Sequence, residues 1–115
     1  NNWSQMKKRR VRFTLHLPLD THPANLQSFI TDLRSLISTD SQLDTTEYNV
    51  TFENIDDYSL CIYIQFFTLT TAYGDHNDIK QAFLFKVLEA AQRSAVSLAV
   101  PVRSIELKGE RRGLS

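Results

Sequence analysis

Residues 10–19, RVRFTLHLPL, alternate between apolar and polar positions. Val11, Phe13, Leu15 and Leu17 point one way, and Arg12, Thr14 and His16 the other, which is the period of a strand with one buried face. In the DTHPANL that follows, Asp20 or Thr21 is placed to cap a helix, and Pro23 suits a first turn that needs no N–H. Leu26, Phe29, Ile30, Leu33 and Ile37 then recur at helical spacing, predicting an amphipathic helix to about Ser38. After the polar stretch STDSQLDTTE, YNVTFENI alternates again, with Tyr48, Val50 and Phe52 on one face. DDYS can turn the chain into LCIYIQFFTL, the most apolar strand, and the pair reads as an antiparallel hairpin. Asp75 offers a cap for a long helix over 78–98, with Ile79, Phe83, Leu84, Val87, Leu88, Ala91, Ala95 and Leu98 on one broad face. Pro101 breaks it, and VRSIEL at 102–107 predicts a short closing strand.

The order β-α-β-β-α-β, with right-handed crossovers, predicts an α+β fold of the ferredoxin-like class. This is a two-layer sandwich with a four-stranded antiparallel sheet and two helices on one face. The domain spans 11–107 and is followed by a tail at 108–115. Phe13, Leu15, Val50, Phe52, Leu60, Ile62, Ile64 and Phe66 belong to the helix-covered side of the sheet. Arg12, Thr14, His16, Asn49, Thr51, Glu53, Cys61, Tyr63, Gln65 and Phe67 belong to the open side. Tyr63 and Phe67 are large aromatics on that open face, and Phe85 lies off the apolar stripe of the second helix; all three are candidates for contacts with a neighbouring subunit or domain.

Composition narrows the function. The 115 residues fit one domain, and 42% apolar residues with three Pro and three Gly suit an ordinary core. The 13 cations balance 13 anions, which counts against a dedicated nucleic-acid binder. Cations gather at the ends, including the run Lys7 to Arg10, and acids gather between them. Cys61 is the only cysteine, so no internal disulfide can form. No run approaches the roughly 18 apolar residues of a membrane span. The segment is expected to be soluble and to suit a reducing compartment.

No catalytic or cofactor-binding constellation emerges. Asp75, His76 and Asp78 resemble ligands but read as a helix N-terminus, where acids suit the dipole. His16 reads as a sheet-surface residue, Cys61 as an inert thiol without an activating cation, and Asp56 and Asp57 as turn formers. No metal site is expected from these spacings. The RNA-recognition version of this fold places aromatics within a Gly- and Lys/Arg-containing strand, whereas SLCIYIQFF has neither glycine nor cation. A stand-alone small-molecule-binding regulatory domain is the alternative, although PLDTHPAN lacks the usual glycine-bearing loop.

NWSQMKKRRVRFTLHLPLDTHPANLQSFITDLRSLI resembles the segment where small-conductance mechanosensitive (MscS-like) channels leave a middle β-domain and enter their C-terminal cytoplasmic α/β domain. Leu19 to Pro23 fill that family's Asp-Thr-x-Pro-like turn. Asp57, Ser59, Leu60, Ile62 and Ile64 match its acidic hairpin turn and alternating strand, and KVLEAAQRSAVSLAVPVRSIEL resembles its closing helix and strand. The chain departs from the family around Ala95 and Val96, where a glycine is usual, and at Val100, where an aromatic is usual. The turn glycine near Ile55 is also absent. The resemblance implies a non-catalytic wall of a cytoplasmic vestibule, beneath the inner membrane, in a channel that releases solutes under osmotic stress. The implied partners are other copies of the subunit, seven in the family, and upstream transmembrane and β-domains. Residues 1–10 would then be a linker from the β-domain, with Arg9, Arg10 and Arg12 forming the edge that meets it. The isolated segment is expected to associate weakly or remain monomeric.

Overall fold

The computed structural model describes residues 7–99. Within them the order is β1 (Arg9–Pro18), α1 (Pro23–Ser38), β2 (Asn49–Ile55), β3 (Ser59–Thr68) and α2 (Tyr73–Arg93). The sheet is antiparallel throughout with order β1-β3-β2. The expected closing strand at 102–107 lies outside the described residues, as do the tail and most of the lead-in, so three strands are seen where four were expected.

Register follows the alternation. Val11 pairs with Phe66, Phe13 with Ile64, Leu15 with Ile62 and Leu17 with Leu60. One face is therefore continuously apolar, and both helices cover it. Leu26, Phe29, Leu33 and Ile37 from α1 and Phe83, Val87, Ala90 and Ala91 from α2 share one core with Val50, Ile62, Ile64 and Phe66. Phe52 falls on the expected side, opposite Ile62, but at the sheet's edge it stays 39% exposed. Beside it the register shifts between Phe52 and Asn54, a bulge that bends β2 toward the turn. Arg34 on α1 clamps β2 by donating from Nε (3.2 Å) and Nη2 (2.8 Å) to the Val50 carbonyl.

Both helix starts differ from expectation. His22, rather than Asp20 or Thr21, caps α1, its Nδ1 accepting from the Ala24 N–H at 3.1 Å. Thr21 turns back instead, donating its hydroxyl to the Pro18 carbonyl. Helix α2 starts at Tyr73 with Ala72 as its cap residue, which puts Asp75 inside the first turn. The extra N-terminal turn buries His76, whose Nδ1 lies 2.7 Å from the Thr68 hydroxyl at the end of β3.

The end of α2 also comes earlier than periodicity predicts. Ser94 is the C-cap, Val96 N–H donates to Ala91 O at 2.9 Å, and Ala95 N–H donates to Gln92 O at 3.2 Å. This pair of bonds is a Schellman motif, which needs a left-handed residue after the cap. Ala95 fills that place with φ of 56°. Ala95 and Leu98 therefore leave the helix, and Val96 and Leu98 pack on the core from the chain beyond it.

Lys8 provides a latch across the end of the sheet. The α1–β2 loop pairs with β3 through Leu43 and Thr68, with Asp44 N–H donating to Phe67 O and Leu69 N–H to Gln42 O. Lys8 reaches over the Phe67 ring, 4.5 Å from its centroid, to Asp44 at 2.7 Å and Glu47 at 2.9 Å. The Lys8 ammonium, then the Thr46 hydroxyl and N–H, hold the Asp44 carboxyl well below its ordinary value.

These contacts set outcomes that unfolding measurements can check. Asp44→Asn keeps an oxygen for Thr46 and should cost about 0.5–1 kcal/mol, the range of a partly exposed ion pair. Asp44→Ala also loses the turn bonds and should cost about 1–2 kcal/mol in urea unfolding; equal costs would count against the turn. Because the folded carboxyl is shifted down, this stability is complete above the ordinary value of 3.8 and is lost as pH falls below it. Ala95→Gly should stabilise by about 1 kcal/mol by relieving the left-handed residue, with a raised urea midpoint as the readout. His76 is shifted below 6.5 by burial and then by the charges of Arg9 and Lys80. The unfolded chain thus binds its proton first, and stability should decline as pH falls from about 6.5 toward the lowered value. His76→Gln should remove that slope, and a slope unchanged by the substitution would assign it to another group.

Candidate functional site

The open sheet face and its flanks carry the residues with the most to offer a partner. Along β3 this face presents Cys61, Tyr63, Gln65 and Phe67; β1 adds Arg10, Arg12, Thr14 and His16 opposite them. Tyr63 and Phe67 lie on the open face as read from the alternation, but both are only half-exposed. Tyr63 donates its hydroxyl to Gln65 Oε1 at 2.8 Å, and Lys8 lies over Phe67.

The three arginines divide. Arg9 points to the other flank, where its Nε donates to the Thr71 carbonyl at 3.1 Å and its guanidinium stands over Tyr73. Arg10 and Arg12 are exposed on the open face and form no ion pair among the described residues. The structure therefore brings Arg10 and Arg12 together with Tyr63 and Phe67 but sends Arg9 elsewhere. Phe85 sits on α2, remote in register from all of these, and is 58% exposed. Its neighbours on the helix surface are apolar too: Leu84 is 38% exposed and Leu88 is 52% exposed, although periodicity assigns both to the core stripe. The long helix turns Phe83 and Val87 fully inward, which leaves Leu84, Phe85 and Leu88 as an outward patch.

The region read as a possible ligand cluster, Asp75, His76 and Asp78, is dispersed. His76 is buried against Thr68, while Asp75 and Asp78 line an open groove with Ser41, Gln42, Leu69, Thr70 and Ile79. A different cluster comes together at the far end of the open face. Asp56 forms the hairpin turn as its residue type predicts, Oδ1 accepting the N–H groups of Tyr58 (2.8 Å) and Ser59 (2.7 Å). Its side chain folds back over β3 to meet Ser59 and Cys61, and these two in turn reach His16 on β1. Sequence reading treats these residues separately because Asp56 reaches Cys61 only after the bulge and turn curl the hairpin. Lys8 is the other residue missed; its parity with Arg10 and Arg12 places it on the open face.

Residues 11–98 match the family model for the C-terminal region of the mechanosensitive ion channel MscS. An uncharacterised MscS family protein of Aquifex aeolicus is 30% identical over 108 residues, and YhdY, an uncharacterised MscS family protein of Bacillus subtilis, is 26% identical over 107. Each alignment covers 93% of this chain but 29% of the relative, so the chain spans under a third of their length. Among solved structures, a variant of Arabidopsis thaliana MSL1 superposes with a TM-score of 0.70 over 86% of this chain and 37% of that one. Closed-state MscS of Helicobacter pylori gives 0.65 over 83% and 36%. Both are 10% identical and speak to the fold alone. No helix among the described residues is long and apolar enough to cross a membrane. With the family model matched over most of its length, the chain belongs to the MscS family of mechanosensitive ion channels and corresponds to their C-terminal domain.

Proposed function

We propose that this chain is the cytoplasmic vestibule domain of a channel subunit that opens under membrane tension and releases solutes during osmotic downshock. The family match over 11–98 carries this reading. The domain acts without catalysis, through packing and surface charge, in a homo-oligomer of seven subunits on the cytoplasmic side of the inner membrane. Residues 1–10 join it to an upstream β-domain, and Arg10 and Arg12 face that domain, with Arg9 at the flank.

The α2 patch supports a role in subunit contact. Burying Phe85 contributes about 2–3 kcal/mol, whereas free association costs roughly 4–15 kcal/mol. Leu84 and Leu88 add to that contribution, and Tyr63 and Phe67 offer a smaller contact area on the other face. Such contacts are too weak alone but effective when membrane spans hold the copies side by side, because tethering raises their effective concentration. A stand-alone regulatory domain is the weaker alternative: the groove on α2 is lined by Asp75 and Asp78, which repel nucleotides and other anionic ligands.

The isolated chain should sediment as a monomer at low micromolar concentration. Phe85→Glu should leave its unfolding free energy within about 0.5 kcal/mol. The same substitution in the parent protein should reduce recovery of the oligomer and survival of osmotic downshock in cells lacking other such channels. Full assembly and survival with Phe85→Glu would remove α2 from the interface. Saturable binding of an amino acid or nucleotide to the isolated chain would favour the regulatory alternative.

A further inference from the structure

We propose that His16, Asp56 and Cys61 form a binding site for a zinc-class divalent cation on the open face of the sheet. His16 and Cys61 are direct cross-strand partners on β1 and β3, and Asp56 arrives from the hairpin turn above them. Their ligand atoms all lie within 4.8 Å of one another. Cys61 Sγ stands 3.6 Å from His16 Nδ1 and 3.4 Å from Asp56 Oδ2. In a tetrahedral zinc site, with metal–sulfur distances near 2.3 Å and metal–nitrogen or metal–oxygen distances near 2.0 Å, ligand atoms are about 3.5 Å apart. Both separations from the sulfur thus match edges of such a tetrahedron, and His16 and Asp56 need only close toward each other on the ion.

The surroundings agree with that reading. Asp56 Oδ1 is held by the N–H groups of Tyr58 and Ser59, which orients the carboxylate and turns Oδ2 toward the thiol. Fixed orientation of a ligand by a second layer of hydrogen bonds is what metal sites use to hold geometry. Ser59 Oγ also reaches both the Asp56 oxygens, at 3.0 and 3.2 Å, and His16 Nδ1, at 3.0 Å. With the ring proton on Nε2, Nδ1 offers its lone pair, and a cation would take over the place of the Ser59 contact.

Charge and donor type select the ion. One thiolate and one carboxylate balance a divalent cation, and imidazole completes a mixed S, N, O set that suits zinc and disfavours calcium or magnesium. Binding exchanges the thiol proton for the metal and releases that proton to solvent, with no change of oxidation state. The same surroundings argue against a nucleophilic role. Burial, then the carboxylates of Asp56 and Glu53, push the Cys61 thiol above its usual value, so without a cation it remains protonated. His16 and Asp56 are exposed, leaving a path for the ion and room for water as a fourth ligand, while Cys61 is 5% exposed.

Cobalt(II), added to the reduced full chain, is a direct probe. One equivalent should produce thiolate-to-metal charge-transfer absorption and the visible bands of a tetrahedral site, both bleached by zinc. Zinc should also slow modification of Cys61, the single thiol, by at least about tenfold. His16→Ala, at an exposed position, and Asp56→Asn, which retains the turn, should each weaken binding by about 10–100-fold. Cys61→Ser should abolish the charge-transfer band; if that variant does not fold, the other two still decide. Absence of the thiolate band, a band unchanged in His16→Ala, or cobalt binding retained in Cys61→Ser at His22 or His76 would each overturn the proposal.

Discussion

The contact between Phe66 and Phe83, with ring centroids 4.4 Å apart, is the joint on which the two layers depend. Phe66 is near the end of the central strand and Phe83 is midway along α2, and both are fully buried. Strand β3 is hydrogen-bonded along both edges, so its position is set by the sheet; the aromatic pair then sets where α2 lies. Aromatic pairs add about 0.5–1.5 kcal/mol beyond the area they bury. Once α2 is so placed, Val87, Ala90 and Ala91 share one core with Leu26, Phe29, Leu33 and Ile37 of α1, and small residues at 90 and 91 suit a close approach of the helices. Ser28 and Ser94 meet at 3.2 Å within that approach.

The same joint determines what remains outside. A helix of 21 residues lying across the sheet cannot bury every apolar side chain on a broad stripe. With Phe83 and Val87 turned inward, Leu84 and Leu88 fall on the shoulder beside Phe85. Period 3.6 finds the stripe but not its width, because width depends on what lies opposite. That is why the stripe of α1, with the sheet and α2 both against it, is legible in Leu26, Phe29, Leu33 and Ile37, with Ile30 only partly buried, whereas the width of the α2 stripe is not. Its ends were also hidden. The first turn carries Tyr73 and His76, which hydropathy reads as polar surface, and the stop is a left-handed alanine where a glycine would have announced it.

The candidate site was legible in its parts. Strict alternation places Arg10, Arg12, His16, Cys61, Tyr63 and Phe67 on one face, and the structure agrees. What alternation cannot supply is distance across a turn. Asp56 is five residues from Cys61 and faces it only because the bulge near Glu53 and the two N–H groups of the turn fold its carboxyl back over β3. The latch of Lys8 depends likewise on the α1–β2 loop joining the sheet beside β3, a pairing with no periodic signal in STDSQLDTTE.

These local arrangements bear on which surface faces a neighbouring subunit. Every second residue of β3 on the open face already has an occupant: Asp56 at Cys61, Gln65 at the Tyr63 hydroxyl, Lys8 over Phe67. An approaching partner would have to displace polar contacts there before burying aromatic area, and lost hydrogen bonds of about 1 kcal/mol each would offset much of the gain. No such cover lies over Leu84, Phe85 and Leu88 among the described residues. Their burial exchanges only water for apolar contact, the case in which the hydrophobic term is least opposed. Within the proposed assembly, the helix face is therefore the stronger adhesive surface, and the sheet face, with Arg10 and Arg12 projecting from it, is better suited to a wet, charged contact with the upstream domain.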